Sequence, residues 1–195
     1  LQAVGSSIGS WRHALLAQND PVAAIDRFED VYLRQTYSSA KPSVAEVTAA
    51  SKTMLMTALG EEGAAAVAGH PWLQNYIVTA KGRGLTNRSG GLGLAVGLGA
   101  AGLGNALSRS TLPLSFQRVV FAHAMAQPLP DLLSGFNTCY VPLLEHSVSS
   151  ALLASGAIPY LFDGVVDVPG GPKGAYWDGG IIDYHFTPQE LKQEG

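Results

Sequence analysis

Cysteine is almost missing: Cys139 is the only one in 195 residues. A single thiol excludes an internal disulfide and any cysteine-based metal cage. Its setting in the β-prone run 136–141 predicts an inert core residue on a strand. Charge is scarce as well, with 12 basic and 15 acidic side chains, 14% of the chain and a net −3. No window supplies the basic cluster that a phosphate backbone needs, so nucleic acid is not an expected partner. The five histidines, His13, His70, His123, His146 and His185, show no metal-ligand spacing such as H-x-x-x-H with an acidic partner. No metal and no cofactor are therefore expected.

A clean membrane-spanning run is also lacking. Residues 90–107 carry no charge for eighteen positions between Arg88 and Arg109, which touches the lower length limit for a span, but seven of the eighteen are glycine. Each glycine disfavours a helix by about 1 kcal/mol relative to alanine, so a spanning helix is not expected. The segment reads instead as small residues packed closely against a neighbour, as a mobile apolar cap over a site, or as a shallow contact with a lipid surface.

The chain is otherwise rich in core-forming residues, 47% hydrophobic, enough for one α/β domain over residues 1–195. Leu1 to Val4 reads as a strand. Asp20-Pro21 is a cap followed by proline at the first helical position, and Val22, Ile25, Phe28, Val31 and Tyr32 recur at helical spacing. Ser43 caps a helix running to Gly60, and an Ala-rich turn or two ends near Gly69. Leu73 to Ala80, 119–121 and 137–141 read as strands, and 147–154 as a short helix. Strand and helix in alternation predict a layered α/β fold.

Two segments carry chemistry. Gly5-Ser6-Ser7-Ile8-Gly9 follows the first strand as a G-x-S-x-G nucleophile elbow, with Ser7 as candidate nucleophile and with Gly5 and Gly9 where a side chain would collide with the turning backbone. The helix that follows directs its first amides at the serine, that of Ile8 first among them, and favours developing negative charge. Near the other end, 174–182 reads as a strand, Asp178, the glycines Gly179 and Gly180, and a second apolar pair. Asp178 then sits at a strand tip, where it can face a serine; the same residues also fit a plain Asp-Gly turn between two strands.

Together with the small-residue turn Ala154-Ser155-Gly156-Ala157-Ile158-Pro159, these motifs resemble the patatin-like phospholipases, in the same order and over nearly the whole chain. The resemblance implies a three-layer sandwich, a central mostly parallel sheet flanked by helices, and a Ser7–Asp178 dyad without a histidine. It implies lipid acyl hydrolysis, a lipid or other acyl-ester substrate and a possible peripheral contact with membranes, which makes the cytoplasm or a membrane surface the expected location. The family's first strand and its glycine-rich oxyanion loop have no counterpart ahead of Gly5. The sequence is thus expected to be N-terminally incomplete.

Two rival readings stay open on the residues. One is a non-catalytic domain of the same fold that binds lipid or a partner. The other is an esterase of α/β-hydrolase type with His185 as base, whose chain order Ser7, Asp178, His185 fits, although only seven residues separate the last two.

Overall fold

The computed structural model describes residues 1–107, 111–129 and 136–183. Its elements run β1 Gln2–Gly5, α1 Ile8–Leu16, α2 Pro21–Leu33, α3 Val44–Leu59, α4 Gly63–Gly69, β2 Gln74–Gly82, α5 Gly91–Leu107, α6 Leu112–Ser115, β3 Phe116–Ala122, β4 Thr138–Pro142, α7 Glu145–Ser155, β5 Val165–Val166 and β6 Ala175–Asp178. A 3₁₀ turn, Gly179–Ile181, follows β6 directly. The architecture is α/β, with a central sheet between helices.

Local chemistry sets the helix starts. The Asp20 carboxylate accepts from the Ala23 amide at 3.0 Å, and the Ser43 hydroxyl from the Glu46 amide at 3.2 Å, so both caps read from the sequence are made. In α7 the helix begins at Glu145, and Ser147 lies inside its first turn, where its hydroxyl accepts from the Leu144 amide.

The sheet is mixed, in the order β4-β3-β2-β6-β5, with β1 also on β2. β1 runs parallel to β2 and β4 parallel to β3, whereas the β2–β3, β2–β6 and β5–β6 pairings are antiparallel. The antiparallel pairings arise at β3 and β6, because each returns along β2 in the opposite sense. β2 is the sheet's spine. It is buried almost throughout, and Ile77, Val119, Phe121 and Tyr176 join Trp11, Leu55, Val148 and Leu152 in the main core under the helices.

One feature of the pairing positions the site. β1 and β6 lie on the same edge of β2, the first along 74–77 and the second along 79–81. Their C-terminal ends meet head to head at Val78. Gly5 is opposite Ile77 and Asp178 opposite Thr79, two residues apart and about 7 Å at the rise of a strand. The two candidate motifs, 171 residues apart in sequence from Ser7 to Asp178, thus end at one point on a third strand.

Candidate active site

The segment from Gly5 to Gly9 turns the chain from strand to helix. Ser7 stands between β1 and α1 at φ 53°, ψ −137°, a strained conformation for a residue with a side chain. Strain of this kind costs on the order of 1–3 kcal/mol and persists only where the surroundings enforce it. They do so here. The Ser7 amide donates to the Ser155 carbonyl at 2.9 Å and lies 3.0 Å from the Ser155 hydroxyl, and the Ser10 hydroxyl donates to the Ser7 carbonyl at 2.7 Å.

The two elbow glycines differ in their reason for being there. A Cβ on Gly5 would lie 2.7 Å from the Ser10 amide nitrogen and 2.9 Å from the Gly9 carbonyl carbon, so the turn itself demands glycine at this position. A Cβ on Gly9 would meet nothing within 4 Å. The expectation of a steric need at Gly9 is corrected: the turn has already passed it, and the residue borders open cavity. Ile8 heads α1, where an amide has no acceptor within its own helix.

Asp178 ends β6 and is 6% exposed. Its amide donates to the Ala157 carbonyl at 2.9 Å, and its carboxylate accepts from the Gly180 amide at 2.6 Å. That bond and the 3₁₀ turn replace the second strand of a plain Asp-Gly hairpin. Gly179 is required sterically, since a Cβ there would sit 2.2 Å from the Val78 carbonyl oxygen and 3.0 Å from the Ser6 Cβ. Burial pushes the Asp178 carboxyl above the usual carboxylate range, and hydrogen bonds from the Ser7 side chain and the Gly180 amide oppose the shift.

The turn after α7 locks both residues. Its Ser155 carbonyl holds the Ser7 amide and its Ala157 carbonyl holds the Asp178 amide. Fully buried, the Ser155 hydroxyl donates to the Val78 carbonyl at 2.7 Å, at the gap where neither β1 nor β6 reaches that oxygen, and it lies 3.1 Å from the Ser10 hydroxyl. Sequence reasoning placed this turn by motif but missed the hydroxyl's role. It also missed Arg118 of β3, whose buried guanidinium grips Asp183 with Nε–Oδ2 at 2.6 Å and Nη2–Oδ1 at 2.7 Å, while the Ser6 hydroxyl donates to the Asp183 carbonyl. This clamp ties the chain after Asp178 back to the elbow.

Ser7, Ile8, Gly9, Gly5, Asp178 and Gly180 border one open cavity of ≈ 670 Å³, floored by Ile158, Pro159 and Ile181. A larger cavity of ≈ 960 Å³ lies at the opposite end of β1 and includes His13 and His70, but neither Ser7 nor Asp178. Chemistry, not size, distinguishes the two. His185 lies outside the described residues. None of the other four histidines borders the Ser7–Asp178 cavity: His13 and His70 line the far one, His123 is buried at the end of β3, and His146 is exposed on α7. No group of three or more metal-ligating side chains occurs among the described residues.

Cys139 is half-buried on β4 and packs against the main core. The uncharged stretch forms α5, where Leu94 and Ala101 are buried and Gly97 closes onto Leu85 and Thr86. No helix among the described residues is long and apolar enough to cross a membrane.

Searches of curated proteins and of solved structures return no significant match. The family model for patatin-like phospholipase matches residues 2–188, which contain the elbow, the locking turn and the aspartate. The chain belongs to the patatin-like phospholipase family, a family of lipid acyl hydrolases.

Proposed function

We propose that this chain hydrolyses fatty-acyl esters, as a phospholipase A or carboxylesterase, through a Ser7–Asp178 dyad. The observation that carries the reading is the meeting of the elbow and the aspartate at Val78 of β2, with Ser7 and Asp178 facing one cavity. Asp178 takes the Ser7 proton as the hydroxyl oxygen attacks the ester carbonyl. The resulting oxyanion is met by the Ile8 amide at the head of α1. Collapse of the intermediate breaks the bond to the alcohol, which leaves with the proton from Asp178. Water then gives a proton to Asp178 and attacks the acyl-enzyme, and Ser7 regains its proton as the fatty acid departs.

A carboxylate is a weak base, and its raised pKa supports the role, because proton transfer is most effective when the base lies near the working pH. Contact with a lipid surface is proposed through α5, where Leu92, Val96 and Leu103 are 83%, 55% and 74% exposed on an uncharged helix. Hydrolysis of p-nitrophenyl esters by the full-length protein, with a Ser7→Ala variant and fluorophosphonate labelling beside it, tests the reading. Turnover and labelling that both vanish in Ser7→Ala support it. A folded protein with neither favours the non-catalytic, lipid- or partner-binding alternative, and turnover lost on His185→Ala favours the histidine-dependent one.

A further inference from the structure

A second cavity meets Ser7 from the side away from Asp178. It measures ≈ 410 Å³ and opens between α2, α3 and the loop 156–162. It shares Ser7, Ile8 and Ile158 with the Asp178 cavity, and no charged side chain lines it. Trp11, Phe28, Val47 and Met54 form its walls, with Trp11 edge-on to Phe28 at 6.2 Å and Phe28 stacked on Tyr32 at 5.9 Å. Tyr32 and Tyr37 stand exposed at its rim.

Proton transfer decides which half of an ester enters which cavity. The leaving oxygen must take its proton from Asp178, so the alcohol lies in the cavity that Asp178 borders. The acyl chain departs from the carbonyl carbon in another direction, and on the far side of Ser7 it meets walls that offer no ion to a phosphate or an ammonium. Apolar walls of this kind gain free energy only from apolar surface.

Resting on the hydrolase reading, we infer that the α2–α3 cavity is the acyl-chain subsite and that its limited volume makes the enzyme select medium-length chains. At about 30 Å³ for each methylene-sized group, the share one water takes in the liquid, the space admits roughly a dozen carbons. Ser51, buried on α3, lines the cavity with Val47 and Met54, and a larger residue there fills it from the α3 side. Longer tails must turn out past the rim at Tyr32.

The test is a chain-length series of p-nitrophenyl esters (acetate, octanoate, dodecanoate and palmitate) on the full-length protein and its Ser51→Phe and Tyr32→Asp variants, with folding checked by circular dichroism. In the wild type, kcat/KM rises by up to about fourfold per added methylene and stops rising near dodecanoate. Ser51→Phe lowers the dodecanoate-to-acetate ratio at least about tenfold and moves the optimum to shorter chains. Tyr32→Asp, at a site 60% exposed, lowers the same ratio by placing a charge at the rim, so the inference stays testable where the larger side chain prevents folding. Ratios unmoved in folded variants, or a wild type still gaining between dodecanoate and palmitate, overturn the subsite. A folded wild type that turns over no ester at all overturns the hydrolase reading, and the subsite with it.

Discussion

At the scale of single residues, Asp178 sets function against stability. Its carboxyl is held mainly by burial above the ordinary range, so the folded protein prefers the protonated form more than the unfolded chain does. A folded pKa raised in this way gives a contribution present below the unfolded pKa and lost as pH rises through the folded one. Asp178→Asn removes that loss and keeps an oxygen for the Gly180 amide. Its Tm should therefore exceed the wild type's by a few degrees at neutral pH, and the gain should disappear in acid, in paired thermal melts. On the dyad reading the same variant should lose about 10³–10⁴ in kcat, because an amide cannot take the Ser7 proton.

The pH profile follows the same sign. On the dyad reading catalysis needs the ionised carboxylate, so kcat/KM should fall as pH drops through a value above the usual carboxylate range. In Ser7→Ala the hydrogen bond that opposes the upward shift is gone, and Asp178 should titrate higher still, as carbon NMR of the labelled carboxyl would record. An unshifted titration would mean that the hydroxyl and the carboxylate do not interact.

At the scale of elements, the site depends on one short turn and one buried clamp. Ser155→Ala leaves the Val78 carbonyl buried at the gap between β1 and β6 without its hydroxyl donor, and weakens the hold on the Ser7 amide. Leaving a buried acceptor unpaired costs about 1–3 kcal/mol, measurable as a lower denaturation midpoint with an unchanged m value. Because the Ser7 backbone is strained, kcat should fall more than that loss of stability explains, and Ser155→Thr should restore part of it. Arg118→Met removes the Arg118 half of a buried pair with Asp183, and breaking a buried pair from one side costs about 3–5 kcal/mol. Much of that effect should appear as loss of order in the turn 179–183.

These same elements mark where sequence reading succeeds and where it stops. The elbow, the caps at Asp20 and Ser43 and the Asp-Gly-Gly tip are local patterns, each fixed by residues within a few positions, and all are found. Ser155 reaches Val78 across 77 positions, and Arg118 reaches Asp183 across 65. No local period records such contacts. Phe28 and Tyr32 show the other kind of limit: their helical spacing correctly places α2, yet one face of that helix borders a cavity, and apolar spacing alone does not distinguish a filled core from an empty one. Gly9 fails in the opposite direction, since the motif fixes the residue but the structure gives it no steric duty.

At the scale of the whole molecule, the elbow sits at the Val78 gap midway along β2, and α5 follows the far end of that strand at Gly82. β1 and β2 run parallel, the elbow follows the end of the first, and α5 follows the end of the second through a 3₁₀ turn, Gly84–Thr86. A helix with Leu92, Val96 and Leu103 in solvent is costly for a protein that stays in water, and on the hydrolase reading this apolar stripe is offered to the lipid that carries the ester. Arg83 and Arg88, both exposed just ahead of the helix, add attraction to anionic headgroups. Replacing Leu92 and Leu103 together by Asp should weaken sedimentation with phosphatidylglycerol vesicles at least about tenfold, and lower turnover of vesicle-borne phospholipid in proportion. Turnover of soluble p-nitrophenyl octanoate should change less than threefold, since neither leucine borders the cavities at Ser7. Equal losses on both substrates would instead place α5 in the support of the site, through Leu94, Ala101 and Trp177, which share one buried cluster.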